Sequence, residues 1–423
     1  MPANYGEGRD LLSSNSDNKP QTKSQLNLFR RVWSFTLSKV YWGFFFGPWT
    51  WMFTILSWVI PKKSKLYIFG SNEGKYFSDN SRALFEFIKK NEESIQAIWF
   101  TQSHEVFNEI EEKFPGSAVI SPSLKASLIY LRADQAIISY GFQDLCRMPW
   151  ISSIKINQLW HGVPLKKIGL LKSEQRTSDD YGPTWRIFMR WIDKVDRFFV
   201  ASNYEMEVHE KAFKIPKNRF IISGNPRNDK LYSFEESNKT VNKKRTIIYV
   251  PTFRNRKEDD HDQESILMHP EITEKGMHEF LLRNDAELIV RPHWVSSNSD
   301  FTSDRIRSIT HDEEPDLNEL MIKSDVLVTD YSSAFIDWLI LDRPVIFTPY
   351  DLEAYTDNFG LLDDYEMLVP SPICIEPQLI FEELDNALQN PRLYEAERNN
   401  ARLRYLGDIN GNICARIVME MKR

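Results

Sequence analysis

The chain has 423 residues, of which 42% are apolar and 13% aromatic, so it exceeds one ordinary core and two domains are expected. Its formal net charge of −7 excludes a general nucleic-acid binder, whose electrostatics need a basic excess. Three scattered cysteines, Cys146, Cys374 and Cys414, are odd in number and lack metal-ligand spacing, which points to a reducing compartment.

Residues 1–27 are rich in Ser, Asn, Asp, Gln and Lys, bury too little apolar surface to offset ordering, and are predicted to form a disordered arm. No basic start followed by an apolar core marks a secretory signal there. Residues 28–63 differ. Within them VYWGFFFGPWTWMFTILSWVIP, Val40 to Pro61, carries no charge and is flanked by Arg30, Arg31, Lys39, Lys62, Lys63 and Lys65. That length suffices to span a bilayer, but Gly43, Gly47 and Pro48 interrupt it, and Trp42, Trp49, Trp51 and Trp58 favour the headgroup zone. The segment is therefore read as membrane-associating, a broken helix pair lying in the interface. A true span and a buried core or partner-binding element are the alternatives.

From Lys65 the pattern becomes short apolar runs separated by amphipathic stretches. KLYIFGS, QAIWFTQ, SAVISP, QAIISYG, KINQLWHG, RFFVASN and FIISGNP read as buried strands, with helical periods such as SRALFEFIKK between them. After the polar stretch Ser233 to Arg245 the same grammar restarts with TIIYVPT, ELIVRPH, DVLVTDYSS and PVIFTPY. The expected fold class is α/β: two Rossmann-like domains, 64–235 and 236–400, facing across a cleft with ligands at the carboxyl ends of the strands. The C-terminal residues 401–423, continuing from PRLYEAERNNARLRYL, are expected to pack back across the junction.

Four strands empty into chemically loaded loops. NEGKYFSDNSRALFEF, before these, reads as a glycine loop and a helix cap at Ser78, Asp79 or Asn80, with Asp79 and Asn80 also candidates for binding a substrate. In NQLWHGVPLKKIG, the strand stops at His161 and Gly162, presenting a titratable ring at a sheet edge where glycine admits a close approach; Lys166 and Lys167 follow as anion-binding candidates. GNPRND offers Arg227 as a phosphate clamp or as turn chemistry. ELIVRPHWV places Arg291 and His293 past a strand, a cation and an imidazole suited to a pyrophosphate. SDVLVTDYSSAFIDWLI starts a helix near Ser332 or Ser333, an anion site or a simple N-cap. TPYDLEAYTDNFG holds Asp351 and Glu353, which suit ribose hydroxyls or a capped helix start. His104, His209 and His311 read as solvated surface residues. No Gly-rich phosphate fingerprint and no carboxylate cluster with metal spacing is present, so no cofactor and no metal site are expected, a loosely held Mg²⁺ remaining compatible.

WHGVPLKKIG, GNPRND, VPTFRN, YFSDN and DLNELMIKSDVLVTDYSSAFIDWLILDRPVIFTPYDLEAY together resemble, in order and spacing, the CDP-glycerol glycerophosphotransferase family of teichoic acid primases and polymerases, over Lys65 to Leu406. The resemblance implies a GT-B type fold with an N-terminal acceptor domain and a C-terminal donor-nucleotide domain. It implies transfer of glycerol phosphate, or a related polyol phosphate, from a CDP-alcohol to a hydroxyl of a lipid-linked or polymer acceptor, releasing CMP, in teichoic acid or capsule-type polymer synthesis. His161 then corresponds to the base and His293 to a donor-phosphate ligand. Arg227, Arg291, Ser332, Ser333, Asp351 and Glu353 would hold the donor, and Asp79, Asn80, Gly162, Lys166 and Lys167 the acceptor. The resemblance also implies a peripheral, monotopic place on the cytoplasmic face of the membrane, a single pass being the alternative. A sugar-nucleotide glycosyltransferase of the same architecture and a non-catalytic, membrane-bound nucleotide-binding scaffold are the rival readings.

Overall fold

Short apolar runs bounded by turn residues become the strands of two parallel sheets. The computed structural model describes residues 52–146, 153–175, 192–236, 244–252, 272–292, 303–311 and 313–423. The arm expected over 1–27 lies outside these residues, as does the Trp-rich segment before residue 52.

The first sheet has seven strands, β1 (Leu66–Phe69), β2 (Gln96–Thr101), β3 (Ala118–Ile120), β4 (Gln135–Ile138), β5 (Lys155–Gln158), β6 (Arg197–Val200) and β7 (Phe220–Ile222), in the order β3-β2-β1-β4-β5-β6-β7. The second has five, β8 (Arg245–Val250), β9 (Ala286–Val290), β10 (Ile306–Ser308), β11 (Val326–Thr329) and β12 (Val345–Phe347), in the order β10-β9-β8-β11-β12. Each is doubly wound, and the strand order reverses between β1 and β4 and again between β8 and β11. Such reversals open a crevice at the carboxyl ends of the strands. β10 is the strand that the sequence did not announce. Only Ile306 of its three residues is buried, so an edge strand left almost no apolar signal.

The alternation of side chains sorts the strands into layers. Tyr67, Phe69 and Trp99 of the first sheet share one apolar cluster with Ile248, Val250 and Phe347 of the second. Their neighbours Ile68, Ile98 and Phe100 face a separate cluster outside the first sheet, and Ile247, Tyr249 and Val328 another outside the second. The middle layer is thus common to both domains and holds the cleft between them.

The last two helices fasten the junction. Glu395–Leu406 stands among the second domain's elements, yet its Tyr405 ring meets Tyr204 of the first edge-on at 4.9 Å. Ile413–Lys422 packs against the first domain, where the Met421 carbonyl accepts from Gln135 Nε2 at 2.8 Å and Lys422 pairs with Glu92 at 2.7 Å. A second tie crosses in the other direction: Lys167 N–H donates to the Gly360 carbonyl at 3.1 Å and Leu362 N–H to the Leu165 carbonyl at 3.0 Å.

The final helix is capped from a distance, because the Asp229 carboxylate accepts from the N–H groups of Ile413 and Cys414 at 2.7 and 2.8 Å. A carboxylate at a helix start satisfies orphan donors and complements the dipole. Asp229→Ala is therefore expected to lower stability by about 1–2 kcal/mol. Urea unfolding checks this, and an unchanged midpoint would contradict the capping role.

Candidate active site

The site begins with a strained turn. Trp160 has φ +54°, a left-handed conformation that a bulky residue seldom adopts, and Gly162 follows at φ +129°. Such strain persists only where the surroundings over-determine it. Asn80 does so here: its Nδ2 donates to the carbonyls of Leu159 and Trp160 at 3.3 and 3.0 Å, and its Oδ1 accepts from Arg227 N–H at 3.3 Å. Asn80 is fully buried, which makes it a fastener of the turn rather than a group facing a substrate.

The turn aims the His161 ring. Nδ1 lies 3.2 Å from the Ser139 carbonyl, which can only accept, so Nδ1 carries the proton and Nε2 keeps its lone pair. Tyr140 stacks on one face at 4.3 Å and 5°, Trp160 on the other at 4.5 Å and 26°. Burial pushes the His161 pKa below the usual histidine value, opposed by the Asp79 charge and the Ser139 carbonyl. A neutral, oriented imidazole is the form that accepts a proton.

Asp144 sets the position of that carbonyl. Fully buried, it accepts from the N–H groups of Ser139, Tyr140 and Gly141 at 2.9, 2.7 and 3.2 Å and of Glu73 at 3.1 Å, tying the ends of β1 and β4 together. Burial pushes its pKa up to about 6, with these N–H groups resisting.

Arg227 joins the two domains beneath the turn. Its guanidinium meets Asp79 at 2.6 Å, Asp337 of the second domain at 2.7 Å and the His161 carbonyl at 3.0 Å. These carboxylates hold it firmly cationic. The expectation that Arg227 clamps a phosphate gives way to a structural one, since two carboxylates already surround its charge. Gly162 is needed for the same reason: a Cβ there would come within 2.9 Å of Arg227 Nη2 and 3.5 Å of Ser333 Oγ. It is protein side chains that approach this glycine. Asp79, itself at φ +66°, also hydrogen-bonds the Tyr140 hydroxyl, so the expected substrate contact is occupied by the site's own framework.

Around the His161 ring opens a cavity of about 580 Å³. Arg291 lines it from the end of β9, with its Nη1 donating to the carbonyls of Ile309 and Thr310. Ser332 and Ser333 line it from the end of β11, where Asp330 accepts from Thr252 and Tyr331 N–H groups and ties β8 to β11. The helix after them, Ala334–Trp338, is short, and Ser332 Oγ accepts from Ala334 N–H at 3.3 Å. Lys166 lines the cavity with its ammonium 5.2 Å from the Tyr355 ring and 5.8 Å from that of Phe359, so the structure brings it to the second domain. Lys167 borders Gly360 outside the cavity. Asp351 accepts from Tyr331 Oη at 2.9 Å, and Glu353 is exposed on Leu352–Phe359; neither lines the cavity. His293 lies outside the described residues.

Two histidines expected at the surface are not there. His209 is fully buried, with Nε2 3.3 Å from Glu205 and its ring 4.7 Å from Trp160, so it backs the aromatic stack behind His161. His311 stacks on Tyr76 of the first domain at 5.1 Å and lines the cleft. Neither Tyr140, Trp160 nor Asp337 was legible as part of the site, because each lies in an apolar run whose periodicity reports burial alone. Among the described residues no group of three or more His, Cys, Asp or Glu is placed to hold a metal ion.

Residues 52–421 match the family described as CDP-Glycerol:Poly(glycerophosphate) glycerophosphotransferase. The teichoic acid poly(glycerol phosphate) polymerase of Bacillus spizizenii is 30% identical over 373 residues, covering 81% of this chain and 87% of that protein. The teichoic acid glycerol-phosphate transferase of Staphylococcus aureus is 30% identical over 339 residues, covering 74% and 81%. Among solved structures, the wall teichoic acid polymerase TagF shares the fold with a TM-score of 0.68 at 23% identity, over 94% of this chain and 97% of that one.

The geometry of His161 has a direct readout. At pH 6.5, near which an unperturbed histidine is half protonated, nitrogen-detected NMR is expected to show a mostly neutral ring with its proton on Nδ1. The sign follows from burial: a lowered pKa leaves protonation to more acid solution. A proton on Nε2, or an imidazolium at that pH, would contradict the assigned hydrogen bond.

Proposed function

We infer the function from one premise: the chain belongs to the CDP-glycerol:poly(glycerophosphate) glycerophosphotransferase family. It is an enzyme that transfers glycerol phosphate from CDP-glycerol in teichoic acid synthesis, on an α/β fold of parallel sheets of GT-B type. Membership favours this over the sugar-nucleotide transferase and the scaffold. The observation that carries the residue roles is the neutral His161 ring, with Nε2 as its free acceptor, on the wall of the cavity at the β8/β11 reversal.

In this reading His161 Nε2 takes the proton of an acceptor hydroxyl as that oxygen attacks the phosphorus next to glycerol. The new oxygen–phosphorus bond forms, the bond to the CMP phosphate breaks, and CMP leaves with the electron pair and an added negative charge. Arg291, His293, Ser332 and Ser333 meet that charge. Preorganised donors of this kind are worth most where charge develops. Asp351 and Glu353 belong, if to the donor at all, to its outer margin, since both stand away from the cavity.

In the same reading the acceptor is lipid-linked or polymeric, and a lipid-linked one would bring the enzyme to the cytoplasmic face of the membrane. Support comes from the helix at residues 52–59, which buries Phe53 and Ser57 and leaves Met52, Ile55, Trp58 and Val59 exposed by 40, 54, 72 and 75%. An apolar face of this kind, beside Lys62, Lys63 and Lys65, suits the interface. Among the described residues no helix is long and apolar enough to cross a membrane.

His161→Ala is expected to keep CDP-glycerol binding and to lose CMP release by about 10²–10⁴-fold; turnover near the original rate would remove the base. Trp58→Glu combined with Val59→Glu is expected to reduce co-sedimentation with anionic vesicles while leaving the fold intact. Undiminished pelleting would reject that face as the contact.

A further inference from the structure

Behind the His161 ring lies a buried pair of ionisable side chains that the transfer chemistry does not use. Glu205 and His209 stand one turn apart on the helix Asn203–Phe213, and both are fully buried. His209 Nε2 lies 3.3 Å from Glu205 Oε1. The other carboxylate oxygen, Oε2, accepts from Ala201 N–H at 2.6 Å, just before the Ser202 N-cap. Capping accounts for that oxygen, because a Glu at the third helical position commonly reaches back to the helix start. It does not account for a histidine on the other.

The imidazole is enclosed by aromatic rings. It meets Trp160 at 4.7 Å and 71°, Phe198 at 4.7 Å and 40°, and Phe213 at 5.7 Å and 14°. Trp160 in turn stacks on His161, so one indole separates the two histidines.

Hydrogen bonding decides the charge of the pair. Among the described residues nothing pairs with His209 Nδ1, which is buried. Were the imidazole cationic, or were a protonated Glu205 to donate to Nε2, Nδ1 would carry a buried N–H without an acceptor. With the proton on Nε2 and the carboxylate ionised, Nδ1 is a bare lone pair instead. Orphaned buried N–H groups are the rarer defect. The pair is therefore a neutral His209 donating to a Glu205 carboxylate, and it holds one net negative charge. A buried net charge is costly without a counter-charge. His161 supplies one when it takes the acceptor's proton.

We propose that Glu205 and His209 are positioning residues for the base: the pair holds Trp160 against His161 from behind, and its negative charge favours the imidazolium that His161 becomes during transfer. The proposal rests on the reading of His161 as the base given above. No proton crosses Trp160; the action is steric and electrostatic. At about 10 Å and an effective dielectric of about 20, one charge changes a proton affinity about tenfold. Of the other groups that face His161, Asp79 also favours the proton and Arg227 opposes it, as a cationic His209 would. The Tyr140 ring stacks on its open face, and Lys166 and Arg291 line the same cavity.

The test combines nitrogen-detected NMR of the histidine-labelled full chain with CMP release from CDP-glycerol, measured against pH with a lipid carrier bearing glycerol phosphate. In the unaltered chain at about pH 6.5 His209 is expected to be neutral with its proton on Nε2. An imidazolium there, or a proton on Nδ1, overturns the proposal without any variant. Glu205→Gln removes the charge. His161 is then expected to lose about three- to tenfold in proton affinity, so that the acid limb of kcat moves to lower pH and its plateau falls by a similar factor, with the KM for CDP-glycerol unchanged. His209→Gln keeps an N–H donor for the carboxylate, and the charge with it. It is expected to lower kcat while leaving the His161 titration within about twofold of the original. An unmoved His161 titration in folded Glu205→Gln overturns the electrostatic role, whatever the turnover, and equal shifts in both variants overturn it by assigning the effect to packing. Retained turnover in His161→Ala removes the base reading instead, and with it the pair's part in transfer.

Discussion

The arrangement depends on one partly buried guanidinium. Arg227 holds Asp79 and Asp337, which belong to different domains, and the carbonyl of His161 between them. Removing it would leave the two largely buried carboxylates without their counter-charge, which is destabilising. The clamp therefore fixes at once the relation of the two sheets, the start of the helix Asp79–Asn91 and the turn that aims the His161 ring. Gly162 is the concession that lets it sit so close.

Around that clamp the division of labour is electrostatic and steric. Asp144 gathers four backbone N–H groups and so positions the Ser139 carbonyl, which in turn fixes the protonated nitrogen of His161. The aromatic faces of Tyr140 and Trp160 leave the ring no alternative plane, and their low dielectric favours its neutral form. Asp330 performs at the β8/β11 reversal the work that Asp144 performs at β1/β4. Both carboxylates are buried, and both tie strand ends together at a topological switch point.

The parallel α/β fold is legible in the sequence because buried strands declare themselves as continuous apolar runs between turn residues. So are the loops that bear His161, Arg291, Ser332 and Ser333, since polar residues at the end of an apolar strand have no packing reason to be there. The partners that make these groups work are not. Tyr140 and Trp160 look like core, and Asp337 sits within a buried helix whose pattern is apolar. His209 looks solvated because its neighbours are charged; Glu205, four residues earlier on the same helix, is what allows its burial. Asn80 and Arg227 look like substrate contacts because a capping residue and a cation after a turn are types that ligands use. Only the tertiary neighbours reveal that their hydrogen-bonding capacity is spent inside the protein.

The central claim, carried from the proposed function, is that a neutral His161 faces a cationic cavity suited to a nucleoside diphosphate. A crystal structure with CDP bound tests this most directly. The diphosphate is expected in the lobe lined by Arg291, Ser332 and Ser333, with its terminal phosphate within about 4 Å of His161 Nε2, directly or through one water. CDP seated instead along the helix Asp79–Asn91, or with its phosphates remote from that nitrogen, would contradict it.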